Sequence, residues 1–322
     1  MIKGKVLCVS IGRILLAKGY KLFNAKEFLL GIWDKYSFFS FFSITRRMFR
    51  AEITGAYELA DNSNLLVLKK KICKIYHCRV ISTFYLKRGS KPLNLCILPN
   101  GHVFWGEYFQ NTTKSLVNVY GSVDRGKTWN ILYTFKTGNI NHIHGLFYDM
   151  YTDRMWFLTG DRENECIIGY TEDEFKSIHE VFRGSQEYRS CQLFFYENFI
   201  VYATDSQYMQ NEIRKIDRKT LEITSLAKIQ GSAIKGGQTG DVSYLSTTIE
   251  PSKVNRDRFS HIWVTKDGEH WEDVFKAEKD CWPAIFQFGT FEFPQNAYCD
   301  GKLWFSGRAL KEFDGKSSYI EI

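Results

Sequence analysis

The sequence contains little proline, no closely spaced cysteine pairs and no long apolar run without charge. Only 5 of its 322 residues are proline, against 24 glycines. Its 8 cysteines are scattered and lack the CxxC spacing of a zinc or redox site, so we interpret them as buried thiols in a reducing, cytoplasmic compartment. No uncharged span reaches the roughly 18 residues of a membrane helix. Two lysines within residues 1–10 argue against a signal peptide.

Aromatic residues are abundant and positive charge is concentrated at one end. Aromatics make up 16% of the chain, hydrophobic residues 44% and charged residues 25%, which indicates a folded protein rich in strands. Residues 1–50 carry a net charge of +8, whereas the whole chain carries +7, so the other 272 residues are nearly balanced. A basic surface across the whole protein is therefore absent, and we expect no nucleic-acid binding.

A turn motif recurs between strand-like segments after residue 50. Its full form spans residues 122–129 and reads S-x-D-x-G-x-T-W, and a shortened form spans residues 265–271. Weaker copies surround Asp173 and Asp217. The four aspartates, Asp124, Asp173, Asp217 and Asp267, are separated by 49, 44 and 50 residues, which is typical of one four-stranded propeller blade.

The repeat predicts an all-β fold, a six-bladed β-propeller with four-stranded antiparallel blades. Two decayed copies of the turn, near residues 17–23 and 76–80, bring the predicted number of blades to six. Strands from both termini are expected to close the ring, with residues 286–321 supplying part of the last blade and residues 5–18 completing it. Residues 1–322 are predicted to form one domain, with a basic, aromatic-rich insertion at about 25–50.

The full motif resembles the Asp box of sialidase-like (BNR repeat) propellers. In such a turn the aspartate accepts backbone hydrogen bonds, glycine permits positive φ and tryptophan packs between blades, so the box itself is scaffold. The resemblance implies the fold and a protein that processes or binds a glycan. Sialidases of this family also carry an arginine triad that begins in an R-I-P motif. Here Arg13-Ile-Leu-Leu lacks the proline and only Arg189 and Arg308 have suitable positions, so sialidase activity is not expected.

Chemistry is expected on the face opposite the box turns, where second strands end and first strands begin. The second strands end at four carboxylates, and the first strands begin near two histidines spaced H-x-H. The predicted catalytic residues are Glu107, Asp161, Asp205, Glu250, His142 and His144. The predicted substrate-binding residues are Asn94, Tyr188, Arg189, Gln287 and Arg308.

Three functions fit these residues. Neighbouring carboxyl groups suit a glycoside hydrolase, because one serves as acid and the other as base or nucleophile. The same polar residues suit a propeller that binds glycan or protein without catalysis. His142 and His144 point to one side of an extended strand, which gives a weaker third alternative, a metal-assisted polysaccharide lyase. Whether the protein is an enzyme stays open, and no cofactor or metal is assigned.

A carbohydrate is the predicted partner. The aromatic run within residues 36–44 is followed by Arg46, Arg47 and Arg50, so residues 28–50 also form a candidate contact with a membrane surface or a partner protein. The alternative is that this segment packs across the domain.

Overall fold

Short segments of alternating β-branched and aromatic residues form a ring of antiparallel sheets. The computed structural model describes residues 1–10, 13–24 and 27–322, and these residues build seven blades of four strands each. The prediction of six blades is therefore wrong, although the all-β propeller class is confirmed. Within each blade successive strands pair, so the first strand is innermost and the fourth is outermost.

The first three blades use strands in chain order. Blade 1 contains β2 (Lys5–Ser10), β3 (Arg13–Lys18), β4 (Lys21–Asn24) and β5 (Glu27–Gly31). Blade 2 contains β6 (Gly55–Glu58), β7 (Asn64–Leu68), β8 (Lys71–Tyr76) and β9 (Arg79–Tyr85). Blade 3 contains β10 (Cys96–Ile97), β11 (Val103–Gly106), β12 (Val117–Ser122) and β13 (Asn130–Phe135).

The next three blades follow the same order. Blade 4 contains β14 (His142–Asp149), β15 (Arg154–Gly160), β16 (Ile167–Thr171) and β17 (His179–Arg183). Blade 5 contains β18 (Ser190–Phe195), β19 (Phe199–Thr204), β20 (Glu212–Asp217) and β21 (Ile223–Lys228). Blade 6 contains β22 (Ser232–Thr239), β23 (Val242–Thr248), β24 (Phe259–Thr265) and β25 (Glu272–Glu278).

Blade 7 joins the two ends of the chain. It contains β26 (Thr290–Glu292), β28 (Lys302–Arg308), β29 (Lys316–Glu321) and β1 (Ile2–Lys3), and the short β27 (Tyr298–Cys299) also pairs with β28. Ile2 pairs with Ser317 and Lys3 with Lys316, so the N-terminal strand forms the outer edge of this blade. Residues 5–18 were predicted to complete the last blade. Lys5–Ser10 and Arg13–Lys18 instead pair with each other as the two inner strands of blade 1, and β3 pairs onward with β4 and not with the C-terminal strands.

The apolar core lies between the blades. Each of the seven hydrophobic clusters joins side chains of two neighbouring blades, as where Phe104 of blade 3 and Phe157 of blade 4 share one cluster. The second strands β7, β11 and β23 are buried along their whole length, whereas β9 is mostly exposed. Burial of aromatic and branched side chains at every interface therefore holds the ring together.

The predicted insertion is mostly a connection between blades 1 and 2. Residues 27–31 form β5, the following residues include a 3-10 turn (Phe38–Ser40) and α1 (Ser43–Phe49), and Ala25 and Lys26 lie outside the described residues. Arg47 of α1 forms an ion pair with Asp280 at 2.5 Å, which fixes the helix beside blades 6 and 7. Phe38, Phe41 and Phe42 are more than half exposed. Contact of this segment with a membrane or a partner stays a prediction.

The remaining 3-10 turns are Glu163–Glu165, Gln186–Tyr188 and Ala284–Phe286. None of the described helices has the length and apolar character needed to cross a membrane.

The box motif forms a closed hydrogen-bonded turn between the third and fourth strands of its blade. Ser122 Oγ donates to Asp124 Oδ1 at 2.7 Å, and the N–H groups of Lys127 and Thr128 donate to the same oxygen at 3.0 and 2.9 Å. Trp129 packs against the cluster between blades 2 and 3. Equivalent bonds surround Asp173 and Asp267. These carboxylates are saturated by their own turns and therefore serve the scaffold.

Replacing Asp124 with alanine is expected to lower the free energy of unfolding by about 1 kcal/mol at pH 7, a value reduced for solvent screening. Partial burial raises the pKa of Asp124, but hydrogen bonds from Thr128, Ser122 and Lys127 outweigh it and lower the pKa to about 2. The stabilisation is present above the unfolded pKa of about 3.9 and is lost as the pH falls through about 2. Urea unfolding of the wild type and of Asp124→Ala at pH 7, 4 and 3 measures this stabilisation and its loss at low pH. Asp241→Ala, in an exposed turn, is the control, and an equal loss in both variants would contradict the prediction.

Candidate functional site

A cavity of about 240 Å³ opens at the centre of the ring, on the face opposite the box turns. It is bounded by the ends of second strands, the beginnings of first strands and the connection between blades 1 and 2. We call it the mouth cavity. Seven predicted site residues line it, namely His144, Asp161, Arg189, Asp205, Glu250, Gln287 and Arg308. These residues come from blades 4 to 7 and the loops beside them, so the topology brings together side chains far apart in sequence.

One side of the mouth cavity is acidic and is organised by Arg189. Its Nη2 lies 3.1 Å from Asp161 Oδ1, and its Nε lies 3.6 Å from Asp205 Oδ2. Burial lowers the pKa of Arg189, but the charges of Asp205 and Asp161 outweigh it and raise the pKa. Glu250 lines the same side and accepts a hydrogen bond from Gln207 Nε2 at 2.6 Å. Asp161 and Asp205 therefore share one guanidinium, and Glu250 lies beside them without an ion pair.

The carboxylates on this side differ in their environments. Burial, followed by the charge of Asp205, raises the pKa of Glu250. Burial also raises the pKa of Asp161, but hydrogen bonds and charge from His142 and His144 outweigh it and hold the pKa below its usual range. The acidic side thus contains a carboxyl group that favours its proton and a carboxylate that favours ionisation.

The histidine pair lies below Asp161, and both rings are almost fully buried. The Nε2 atoms are 3.1 Å apart, and they lie 3.5 Å (His142) and 3.4 Å (His144) from Asp161 Oδ1. The Nδ1 atoms face backbone carbonyl oxygens, that of Phe109 at 3.0 Å and that of Ser190 at 2.9 Å. Both rings therefore turn the same nitrogen toward the same carboxylate.

The other side of the mouth cavity is basic. Glu292 forms ion pairs with Lys5, at 2.6 Å, and with Arg308, and Arg308 also contacts Glu52 at 3.3 Å. The charges of Lys91 and Lys235 also lower the pKa of Glu292. The Nζ atoms of these two lysines nevertheless have no hydrogen-bond or ion-pair partner among the described residues. Burial lowers the pKa of Lys91, and repulsion from Arg308 and Lys235 lowers it further. Four cations thus surround two carboxylates.

Four predicted site residues are not among those that line the mouth cavity: His142, whose ring faces Asp161, and Glu107, Asn94 and Tyr188. Glu107 is buried and bound by Arg88 through both carboxylate oxygens, one of which also accepts the N–H of Asn118 at 2.9 Å. Asn94 exchanges two hydrogen bonds with the backbone of Leu146. Tyr188 stacks on Phe182. Each of Glu107, Asn94 and Tyr188 has a structural role, because its polar or aromatic surface is committed to a neighbour within the scaffold.

The sequence prediction missed the two lysines and Tyr108. It considered the ends of second strands and the beginnings of first strands, whereas β22 lines the channel beyond its first residues and so places Lys235 there. A lone lysine within an inner strand is the signal that would have identified it. Lys91 lies in the loop before β10. Tyr108 follows β11, and the centroid of its ring lies 4.3 Å from that of the His142 ring.

Comparison with known proteins supports the β-propeller fold but no particular family or function. No family model and no curated protein matches the sequence. Among solved structures 657 chains match, including the WD40 β-propeller domain of Doa1, with a TM-score of 0.58, 9% identity, and coverage of 99% of this chain and 93% of that chain. A protein assigned as TolB from Agrobacterium tumefaciens has a TM-score of 0.46 and 13% identity, covering 69% of this chain and 80% of that one. The chain therefore has the β-propeller fold, and its likeness to sialidase-like propellers rests on the turn motif alone.

Proposed function

We propose that this chain is a ligand-binding propeller whose mouth cavity holds an anionic saccharide without cleaving it. The observation that carries the proposal is the pair of lysines, Lys91 and Lys235, whose Nζ atoms lack a partner among the described residues. A carboxylate of a uronic acid is the group that fits them.

The charge balance supports an anion. Lys5, Lys91, Lys235 and Arg308 lie around Glu292 and Glu52, so cations outnumber carboxylates on the basic side of the cavity. Burying uncompensated charge costs free energy, which an anion bound between the lysines would offset. The cost is visible in Lys235, because burial lowers its pKa despite the attraction of Glu292.

The rest of the mouth cavity supports a sugar ring. Glu250 and Gln287 offer hydrogen-bonding groups for hydroxyls, and Tyr108 and Phe288 offer aromatic surface. A concave site with a few convergent polar groups among apolar walls is typical of small-ligand binding. The cavity volume of about 240 Å³ accommodates one sugar residue more readily than a protein loop.

Binding is favoured over the two catalytic alternatives. A glycoside hydrolase needs two carboxyl groups free to act on the sugar. Glu107 lies outside the cavity, and Arg189 holds both Asp161 and Asp205, which leaves Glu250 as the carboxyl group without an ion pair. Lyase chemistry would require a base beside the uronic acid. The histidine Nδ1 atoms are committed to carbonyl oxygens, and both Nε2 atoms face Asp161.

Calorimetric titration of the full chain with a uronic acid oligosaccharide tests the proposal. We expect saturable binding, no binding of the carboxyl-reduced neutral analogue, and weaker binding of inorganic phosphate. Prolonged incubation is followed by an assay for new reducing ends and for unsaturated products. Cleavage of either kind would replace the binding function with hydrolase or lyase activity, and equal affinity for the neutral analogue would contradict the role of the lysines.

Replacing Lys235 with methionine is expected to weaken binding of that oligosaccharide by about 2 kcal/mol, a roughly 30-fold loss. The same change is expected to raise the free energy of unfolding by about 1 kcal/mol, because it removes a half-buried cation that lies among other cations. The pKa of Lys235 is lowered in the folded protein, so the gain in unfolding free energy narrows as the pH rises from that lowered pKa to the unfolded value of about 10.4. Calorimetry and urea unfolding measure the two effects. Lys253→Met, on an exposed loop, is the control and should change neither.

A further inference from the structure

His142 and His144 turn their Nε2 atoms toward each other. Each Nδ1 lies about a hydrogen-bond length from a backbone carbonyl oxygen, 3.0 Å to Phe109 and 2.9 Å to Ser190. A carbonyl oxygen only accepts, so the proton of each Nδ1 points to its carbonyl, and Nε2 is the nitrogen of each ring that a metal ion can bind. His142 Nδ1 also lies 3.3 Å from Asn141 Nδ2. The two Nε2 atoms are only 3.1 Å apart. When both Nε2 atoms are unprotonated, their lone pairs face each other at this distance, and a proton or a metal ion between the rings removes the repulsion.

Asp161 completes a triangle of ligand atoms. His142 Nε2, His144 Nε2 and Asp161 Oδ1 are separated by 3.1, 3.4 and 3.5 Å. A point just off the plane of these atoms lies about 2.0 Å from all three, which is the length of Zn–N and Zn–O bonds. The side chains thus already have the spacing that a first-row metal ion requires.

The surroundings hold this triangle in place. Ligating histidines usually donate their second ring N–H to a carbonyl or carboxylate, as both rings do here. Asn141 Nδ2 donates to Asp161 Oδ2 at 2.7 Å, which leaves Oδ1 turned toward the rings. Arg189 also contacts Oδ1 and opposes a cation, but Asp205 and Glu250 nearby offset its charge.

We propose that His142, His144 and Asp161 bind one divalent first-row transition metal ion, with Zn²⁺ as the representative. The remaining coordination positions face the mouth cavity, because His144 and Asp161 line it. Two imidazoles and one carboxylate with open positions form the kind of centre that contacts an exogenous ligand. A second cluster, His144, Cys191 and Asp205, is less suited, because Cys191 Sγ donates to Asp205 Oδ2 at 3.4 Å.

The test uses the full chain without an affinity tag, stripped with a chelator that is then dialysed away. Zn²⁺ is titrated by calorimetry, and Co²⁺ is added as a probe whose visible absorption reports coordination number and ligand type. We expect one equivalent of Zn²⁺ to bind, and a Co²⁺ spectrum of four or five coordination with nitrogen and oxygen ligands. His142→Gln and His144→Gln should each weaken Zn²⁺ binding by about 100-fold or more, and Asp161→Asn by about tenfold or more.

His179→Gln, at an exposed histidine of β17, is the matched control and should bind Zn²⁺ as the wild type does. Circular dichroism and urea unfolding check that each variant folds. If a histidine variant is unfolded, the wild-type Co²⁺ spectrum and Asp161→Asn decide the question. The proposal is overturned if the wild type lacks a site of unit stoichiometry, or if the folded site variants bind Zn²⁺ like the control. Either failure leaves the anion site unaffected, because Lys91 and Lys235 are not part of the triangle.

Discussion

Replacing Asp149 with alanine is expected to lower the free energy of unfolding by about 3 to 5 kcal/mol. Asp149 ends β14, is fully buried, and accepts two hydrogen bonds from Arg218 at 2.6 and 2.9 Å. Trp156 Nε1 donates to the same carboxylate at 3.3 Å. Arg218 follows β20, so this ion pair joins blade 4 to blade 5. Its loss leaves the mostly buried guanidinium of Arg218 without its carboxylate.

Urea unfolding of the wild type and the variant at pH 7 measures the loss. Glu172→Gln is the matched control, because Glu172 pairs with Arg154 on the exposed surface and its removal should cost less than about 1 kcal/mol. Adding Arg218→Met to Asp149→Ala should recover part of the stability, since no uncompensated charge then remains buried. A loss below 1 kcal/mol in the single variant would show that water reaches Arg218 and that the pair does not join the blades energetically.

The propeller class could be predicted because its signal is local and repeated. Asp124, Asp173, Asp217 and Asp267 all mark turns between the third and fourth strands, as their spacing indicated. The number of blades could not be obtained in the same way. Blade 7 has no box motif and takes its outer strand from Ile2–Lys3, and a two-residue strand has no sequence pattern. Residues 5–18 were therefore assigned to the closing blade, and the predicted number of blades was one too low.

The candidate site was predicted in part, by topology. Ends of second strands meet at one face in any propeller, which is why Asp161, Asp205 and Glu250 line the same cavity. The rule failed for Glu107, because its partner Arg88 lies in an irregular loop whose path the sequence does not reveal. The pairing of the histidine rings also depends on two carbonyl oxygens from other strands and loops. Such contacts depend on tertiary structure and cannot be predicted from the spacing of residues in the sequence.

Replacing Arg189 with methionine is expected to lower the free energy of unfolding by about 3 to 5 kcal/mol at pH 7. Arg189 is 7% exposed and is the guanidinium shared by Asp161 and Asp205, and its Nη1 also donates to the Asp161 carbonyl at 3.3 Å. Methionine fills much of the same volume but leaves two neighbouring carboxylates without the guanidinium that they share. Two neighbouring carboxylates without their guanidinium bind protons more readily, so the loss should be largest at neutral pH and already smaller at about pH 5.

Urea unfolding at pH 7 and pH 5 measures this loss and its pH dependence. Arg258→Met is the matched control, because the Arg258 side chain is 79% exposed and its ion pair with Glu278 should contribute little at either pH. In the double variant, Arg189→Met with Asp205→Asn, one of the two uncompensated charges is gone, and about half of the loss should return. If the loss is the same at pH 7 and pH 5, packing of the Arg189 side chain would explain its stabilising effect. Charge would then not be what holds the acidic side of the mouth cavity together.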